Sequence, residues 1–188
     1  MIAPSLQNYV VLVDENDREL GTMEKMEAHL QGRLHRAFSV FIFNYDQELL
    51  IHRRALEKYH SGGLWTNTCC SHPMPGETTL EAAHRRLDEE MGMQANLDPL
   101  FRFHYRAELD QSLIEHELDH VFVGYSNTQP VINREEVCDY RWVQIDELMD
   151  EMNSEPEQFT AWFRIIMNEY ASHIAQNPVY ESVSKRNV

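Results

Sequence analysis

Three carboxylates at alternate positions, Glu115, Glu117 and Asp119, interrupt the stretch Leu113–Tyr125 (LIEHELDHVFVGY). The stretch has the composition and period of a β-strand, so the three acids share one face, with Ile114, His116 and Leu118 on the other. Like charges on one face of a strand repel unless a cation or a proton lies between them. Any fold of this chain has to supply that positive charge.

The rest of the chain supplies the sheet. Asn8–Asp14 (NYVVLVD), Glu19–Met23, Ala37–Tyr45 (AFSVFIFNY), Leu49–Arg53, Leu100–Leu109 and Asp139–Gln144 read as strands. Asp46-Gln47 turns Ala37–Tyr45 into a hairpin with Leu49–Arg53, and Lys25–His35 reads as a polar segment joining strands. After Trp65-Thr-Asn-Thr-Cys-Cys-Ser-His72-Pro comes an amphipathic helix. Its Leu80, Ala83, Leu87 and Met91 fall at i, i+3, i+7 and i+11, one buried stripe. Arg86 and Glu90 lie together along an edge of that stripe. They read either as an ordinary i,i+4 surface pair or as a cation and an anion meeting a metal and its anionic ligand. Asp146–Glu151 reads as a short helix capped by Asp146. Ser154-Glu-Pro-Glu157 reads as a capping box opening a helix to about Ala175, and the polar tail after Pro178 as frayed. Mixed strands with a central and a C-terminal helix predict an α/β (α+β) fold, a sheet sandwiched by helices. With no repeat or linker, residues 1–188 read as one domain with its core over about 8–165.

A formal charge of −15 argues against nucleic acid or anionic lipid as partners, and an anionic substrate would need a local positive field. No apolar run approaches the ~18 residues of a membrane span, and no secretory signal is visible. Three cysteines, two of them adjacent, do not make a disulfide framework and suggest a reducing cytosol.

His29, His35 and His72 with Glu115 and Glu117 form a candidate five-ligand set of mixed N and O donors. Such a set suits octahedral Mn²⁺, or Zn²⁺ or Mg²⁺, with a position left for water or substrate. Among ten histidines, several have surface roles, and any single one reads first as structural. Cys69 and Cys70 are adjacent in an extended piece, so at most one faces a given pocket, and free cysteine is commonly a small buried hydrophobe. Trp162, with Phe159 and Phe163, reads first as core.

Together these residues resemble the type I isopentenyl diphosphate isomerases, which share the fold of the Nudix hydrolases. The resemblance runs over about 8–165. Gly21-Thr-Met-Glu-Lys25-x3-His29-x5-His35-x-Ala-Phe-Ser resembles the first metal segment. Arg53-Arg54-Ala and Leu64-Trp65-Thr-Asn-Thr-Cys-Cys70-Ser-His72-Pro resemble the substrate and nucleophile segment. Glu115-His-Glu117-Leu-Asp matches the acidic strand, and Tyr140-Arg-Trp142 a late one. The Nudix box, G-x5-E-x7-R-E-U-x-E-E-x-G-U with U aliphatic, is degenerate. It aligns to Ser71, Glu77, Arg85, Arg86, Leu87, Glu89, Glu90, Gly92 and Met93, with Ser71 for the leading glycine and Arg86 for a glutamate. A hydrolase gathers carboxylates around Mg²⁺ to activate water. A cation at Arg86 favours gripping a diphosphate without cleaving it.

The resemblance implies conversion of isopentenyl diphosphate to dimethylallyl diphosphate, a step of isoprenoid biosynthesis. It places Cys70 and Glu117 on opposite faces of the alkene, Tyr105 beside the carboxylate, and the Trp162 π face against the cation. His29, His35, His72, Glu115 and Glu117 match the ligands of an Mn²⁺ or Zn²⁺ site. Glu90, with the Cys70 backbone carbonyl, matches a Mg²⁺ shared with the diphosphate. Lys25, Arg54, Lys58 and Arg86 match the phosphate grip, and Cys69 is the bystander. The expected partner is that small-molecule substrate, for a cytoplasmic monomer or weak homodimer. The competing readings are a Nudix-type nucleotide diphosphate hydrolase and a non-catalytic, metal-stabilised binding domain.

Overall fold

In the computed structural model, residues 6–109 and 112–175 are described. The polar tail after Pro178 lies outside them. The spine is β3 (His35–Phe43), buried on both faces, which is why its sequence is almost continuously apolar. It runs parallel to β8 (Ile114–Tyr125), from His35 beside Glu117 to Phe43 beside Tyr125. The other pairings of this nine-stranded mixed sheet are antiparallel. β1 (Tyr9–Val13) pairs with β2 (Glu19–Glu24) and touches β3. β7 (Leu97–Glu108) pairs with β8. β4 (Leu49–Arg54) pairs with β5 (Trp65–Thr66) and β9 (Val137–Val143), and β6 (Cys69–Ser71) pairs with β3.

Helices cover both faces. On one, Phe38, Val40, Ile42 and Leu50 pack against Ala83, Leu87 and Met91 of α2 (Thr79–Met91). On the other, Phe41, Phe43 and Ile51 pack against α3 (Ile145–Ser154) and α4 (Ala161–Ala175) through Leu148, Met152, Phe163 and Ile166. The expected sandwich is present. Each of the larger of these side chains, from Val to Phe, is worth about 1.5–3 kcal/mol of transfer free energy. Thr78 and Glu81 form the capping box of α2. Gly92 ends it at φ 61°, where a Cβ would lie 2.6 Å from the Val131 carbonyl oxygen, so the position needs glycine twice over.

Several sequence expectations are corrected. The segment Lys25–His35 is not merely a polar joint: Lys25–Gln31 is a helix, α1, capped by the Glu24 carboxylate accepting from the Glu27 N–H. Its buried residues are Ala28 and His29, so no apolar period marks it. In α2, Leu80 is 38 % exposed, and Ala82 joins the buried face instead. α3 is preceded by Gln144 with no side-chain cap, and Asp146 lies in its first turn. The Ser154–Glu157 box does not open the last helix. A short 3-10 turn at Pro156–Gln158 intervenes, because Pro156 has no N–H to continue α3, and α4 starts at Ala161. Thr160 anchors that start, donating its N–H to the Trp65 carbonyl (3.0 Å).

The β3–β4 hairpin is paired only at Phe43–Leu49. Beyond that point Thr68 is wedged between the strands. Its hydroxyl accepts from the Ile42 N–H (2.9 Å) and donates to the Leu50 carbonyl (2.6 Å), replacing the ladder bond that a hairpin would make. The Asn67 amide donates to the carbonyls of Val40 and Cys69. This wedge seats β6 beside β3 and turns the two thiols to opposite sides: Cys69 into the α2 layer, Cys70 toward the α4 layer.

Candidate active site

A cavity of about 280 Å³ lies where β6, β8, α2 and the segment after β4 converge. On its walls are Lys25, Arg54, Lys58, Cys70, His72, Arg86, Glu90, Tyr105, Glu115, Glu117 and Trp162, side chains scattered over the whole chain. His29 and His35, both fully buried, stand behind the wall. Every expected site residue is thus brought to one place.

Backbone carbonyls fix two of the three histidines. His29 Nδ1 lies 2.7 Å from the Lys25 carbonyl and His35 Nδ1 2.7 Å from the Arg33 carbonyl. Carbonyls only accept, so both rings carry their proton on Nδ1 and turn an Nε2 lone pair inward. The ligand atoms of His29, His35, His72 and Glu117 all lie within 4.8 Å of one another. His35 and His72 Nε2 sit 3.2 Å apart and face Glu117 Oε1 at 3.4 and 2.9 Å. Burial lowers the proton affinity of His29 and takes His72 down to about 4, so imidazolium is a poor source of the positive charge this cluster needs. His29 Nε2 is a buried nitrogen with no hydrogen-bond partner. A divalent cation fits these donors, and the nitrogen-rich set favours a transition metal over Mg²⁺.

Glu115 joins by a different route. It groups with His29 and His60, whose Nε2 lies 3.8 Å from Glu115 Oε1. Tyr105 Oη bridges the acids, 2.6 Å from Glu117 Oε2 and 3.0 Å from Glu115 Oε2. Burial and the Glu117 charge push Glu115 well above the usual carboxylate range. Burial works the same way on Glu117, but the neighbouring His35 and His72 rings outweigh it and hold that carboxyl well below. Asp119 rises to about 8, through burial and then the Glu117 charge. Burial pushes the Cys70 thiol up to about 12, against the opposing pull of Arg54, so it keeps its proton at neutral pH.

Cations gather at the other end. Arg86 is no surface pair: its guanidinium, mostly buried, meets Glu90 (Nε, 3.0 Å) and Glu136 (3.1 Å). Lys58 pairs with Glu136. Burial, then the charges of Lys58 and Arg86, lowers the proton affinity of Lys25. Arg54 Cζ stands 5.2 Å from the centre of the Trp162 ring, so that π face already attracts a cation.

His60, Glu136 and the Asn67-Thr68 wedge were not singled out by sequence. His60 lies two residues after Lys58 and just before Ser61-Gly62-Gly63, a usable signal. Glu136 sits in a polar turn and looks solvated from sequence alone.

A NUDIX domain model matches residues 33–163. The isopentenyl-diphosphate Delta-isomerase of Pectobacterium atrosepticum is 60% identical over 156 residues, 83% of this chain and 87% of that one. The isopentenyl-diphosphate Delta-isomerase of Photobacterium profundum is 50% identical, over 89% of this chain and 98% of its own length. Among solved structures, a Deinococcus radiodurans protein superposes with a TM-score of 0.71 at 20% identity, covering 86% of this chain and 99% of that one. A MutT NUDIX hydrolase from Burkholderia pseudomallei gives 0.57 at 18% identity, covering 73% and 98%. The solved structures speak to the fold, and the two curated relatives carry the family. The chain is a NUDIX-fold enzyme belonging to the isopentenyl-diphosphate Delta-isomerases.

Proposed function

We propose that this chain converts isopentenyl diphosphate to dimethylallyl diphosphate, in isoprenoid biosynthesis, by proton transfer between Cys70 and Glu117 across the alkene. The observation that carries this is the pairing, in one cavity, of a protonated thiol with a carboxylate hydrogen-bonded to Tyr105. An alkene is a very weak base, so the acid has to be held close and the developing cation stabilised. One group adds a proton to the terminal carbon, leaving a tertiary cation. The other removes a proton from C2, so the double bond moves and the proton count is unchanged. By microscopic reversibility each group is acid in one direction and base in the other.

Trp162 presents a π face for the cation, worth up to about 2 kcal/mol when desolvated. Tyr105 orients Glu117 and donates its O–H to the carboxylate. Lys25, Arg54, Lys58 and Arg86 hold the diphosphate. His29, His35, His72, Glu115 and Glu117 are the donors for a transition metal, Mn²⁺ or Zn²⁺, and Glu90 is the donor for Mg²⁺. Bound there, such cations would tune Glu117 and offset the charge of the diphosphate. We read the chain as one domain, acting in the cytoplasm. Three free cysteines support a reducing compartment, and among the described residues no helix is long and apolar enough to cross a membrane.

Arg86 speaks against hydrolysis, since it puts a cation, already paired with Glu90, where a hydrolase carries a metal-binding carboxylate. The test is incubation with isopentenyl diphosphate and Mg²⁺. The dimethylallyl isomer should accumulate without free phosphate. Phosphate appearing at the rate of substrate loss would overturn the isomerase reading.

A further inference from the structure

Glu136 is placed by backbone and not by chance. The turn that carries it is tied to the end of α2, Val131 N–H to the Met91 carbonyl (2.8 Å) and Asn133 N–H to the Glu90 carbonyl (2.9 Å). Its own carbonyl accepts from the Ala55 N–H (2.9 Å), just beyond β4. Pinned from both sides, its carboxylate accepts from Lys58 through Oε2 and from Arg86 through Oε1 (3.1 Å). The Lys58 and Arg86 bonds outweigh the cost of burial and keep the group ionised. Glu90, on the same guanidinium, is a second carboxylate beside it.

Resting on the diphosphate grip proposed above, we infer that Glu136 is a specificity-determining residue that makes the site accept a diphosphate as its divalent-metal complex and reject the bare anion. A bare diphosphate has to take Lys58 and Arg86 from Glu136 and then lie against two carboxylates. Among half-buried side chains, like-charge contact of that kind is costly. A metal complex carries its own positive charge, so it shares the two cations with Glu136 in place. Glu136 thus acts on selectivity through Lys58 and Arg86, with no proton or bond of the substrate passing through it.

The test is isothermal titration of inorganic pyrophosphate, with and without Mg²⁺, into the protein as purified. For Glu136→Gln, bare pyrophosphate should bind at least about tenfold tighter than to wild type, while the Mg²⁺ complex changes by less than about threefold. Glu136→Asp keeps the charge and should keep the wild-type discrimination, which separates charge from packing. Weaker binding of the Mg²⁺ complex alone would make Glu136 a metal ligand and overturn the inference. So would equal weakening of both forms, or no change in either. If wild type itself binds no Mg²⁺-pyrophosphate, the grip has failed and not Glu136.

Discussion

Cys69 and Cys70 are neighbours in β6 yet belong to different layers: Cys69 is fully buried under α2, and Cys70 faces the cavity. The alternation of a strand produces this split, and the Thr68 wedge fixes which thiol goes where.

Only one of the two thiols can therefore exchange a proton with substrate. Cys70→Ser should lower kcat by about 10³-fold or more while the circular dichroism spectrum is kept. Cys69→Ser should leave kcat within a few-fold and cost about 1 kcal/mol of stability in urea. Equal losses of turnover would mean the pocket-facing side is wrongly assigned.

Thr68 is a structural prediction of its own. Thr68→Val keeps the shape but strands the Ile42 N–H and the Leu50 carbonyl inside the sheet. Each buried, unpaired group costs about 1–3 kcal/mol, so a loss of about 2–6 kcal/mol is expected by urea unfolding. A change under about 0.5 kcal/mol would show that water or a shifted ladder replaces the hydroxyl.

The proposed roles give two cations separate sets of donors. His35→Ala should strip a tightly held transition metal, read by elemental analysis of the purified protein. Glu90→Gln should leave that metal in place and weaken joint binding of Mg²⁺ and a diphosphate analogue. If Glu90→Gln also loses the first metal, the two sites are one.

Acid sensitivity has a definite source in His52, fully buried with Nδ1 donating to the Thr68 carbonyl (3.0 Å). Burial, then the Arg54 charge, lowers it from 6.5 to about 4. Unfolded chains bind a proton that the native state refuses, so its contribution is complete above about 6.5, falls as pH drops, and levels off below about 4. His52→Asn should flatten the pH dependence of unfolding free energy across that window by up to about 3 kcal/mol. Parallel profiles for variant and wild type would refute it.

The fold class was legible because β3 is a near-continuous apolar run and α2 carries an apolar stripe, misread only at Leu80 and Ala82. The site was legible for a different reason: its charges are out of place in an apolar strand, as at Glu115 and Glu117. What escaped was helical or polar structure with no apolar period. α1 buries a histidine where a period would need a hydrophobe, and the Thr68 wedge works through one hydroxyl. Glu136 becomes meaningful only when α2 and the segment after β4 bring Arg86 and Lys58 to it. His60 reaches Glu115 only through a long-range approach that local sequence does not encode.

The central claim is that two exchangeable groups trade protons with the substrate. Proton and deuterium NMR of the reaction run in D₂O measures it directly. The proton added to the terminal carbon comes from a thiol or carboxyl in exchange with solvent, so the new methyl group of the product should carry deuterium from the first turnover. Product formed at full rate with no deuterium in that methyl group would mean the hydrogen moves within the substrate, and the roles given to Cys70 and Glu117 would be contradicted.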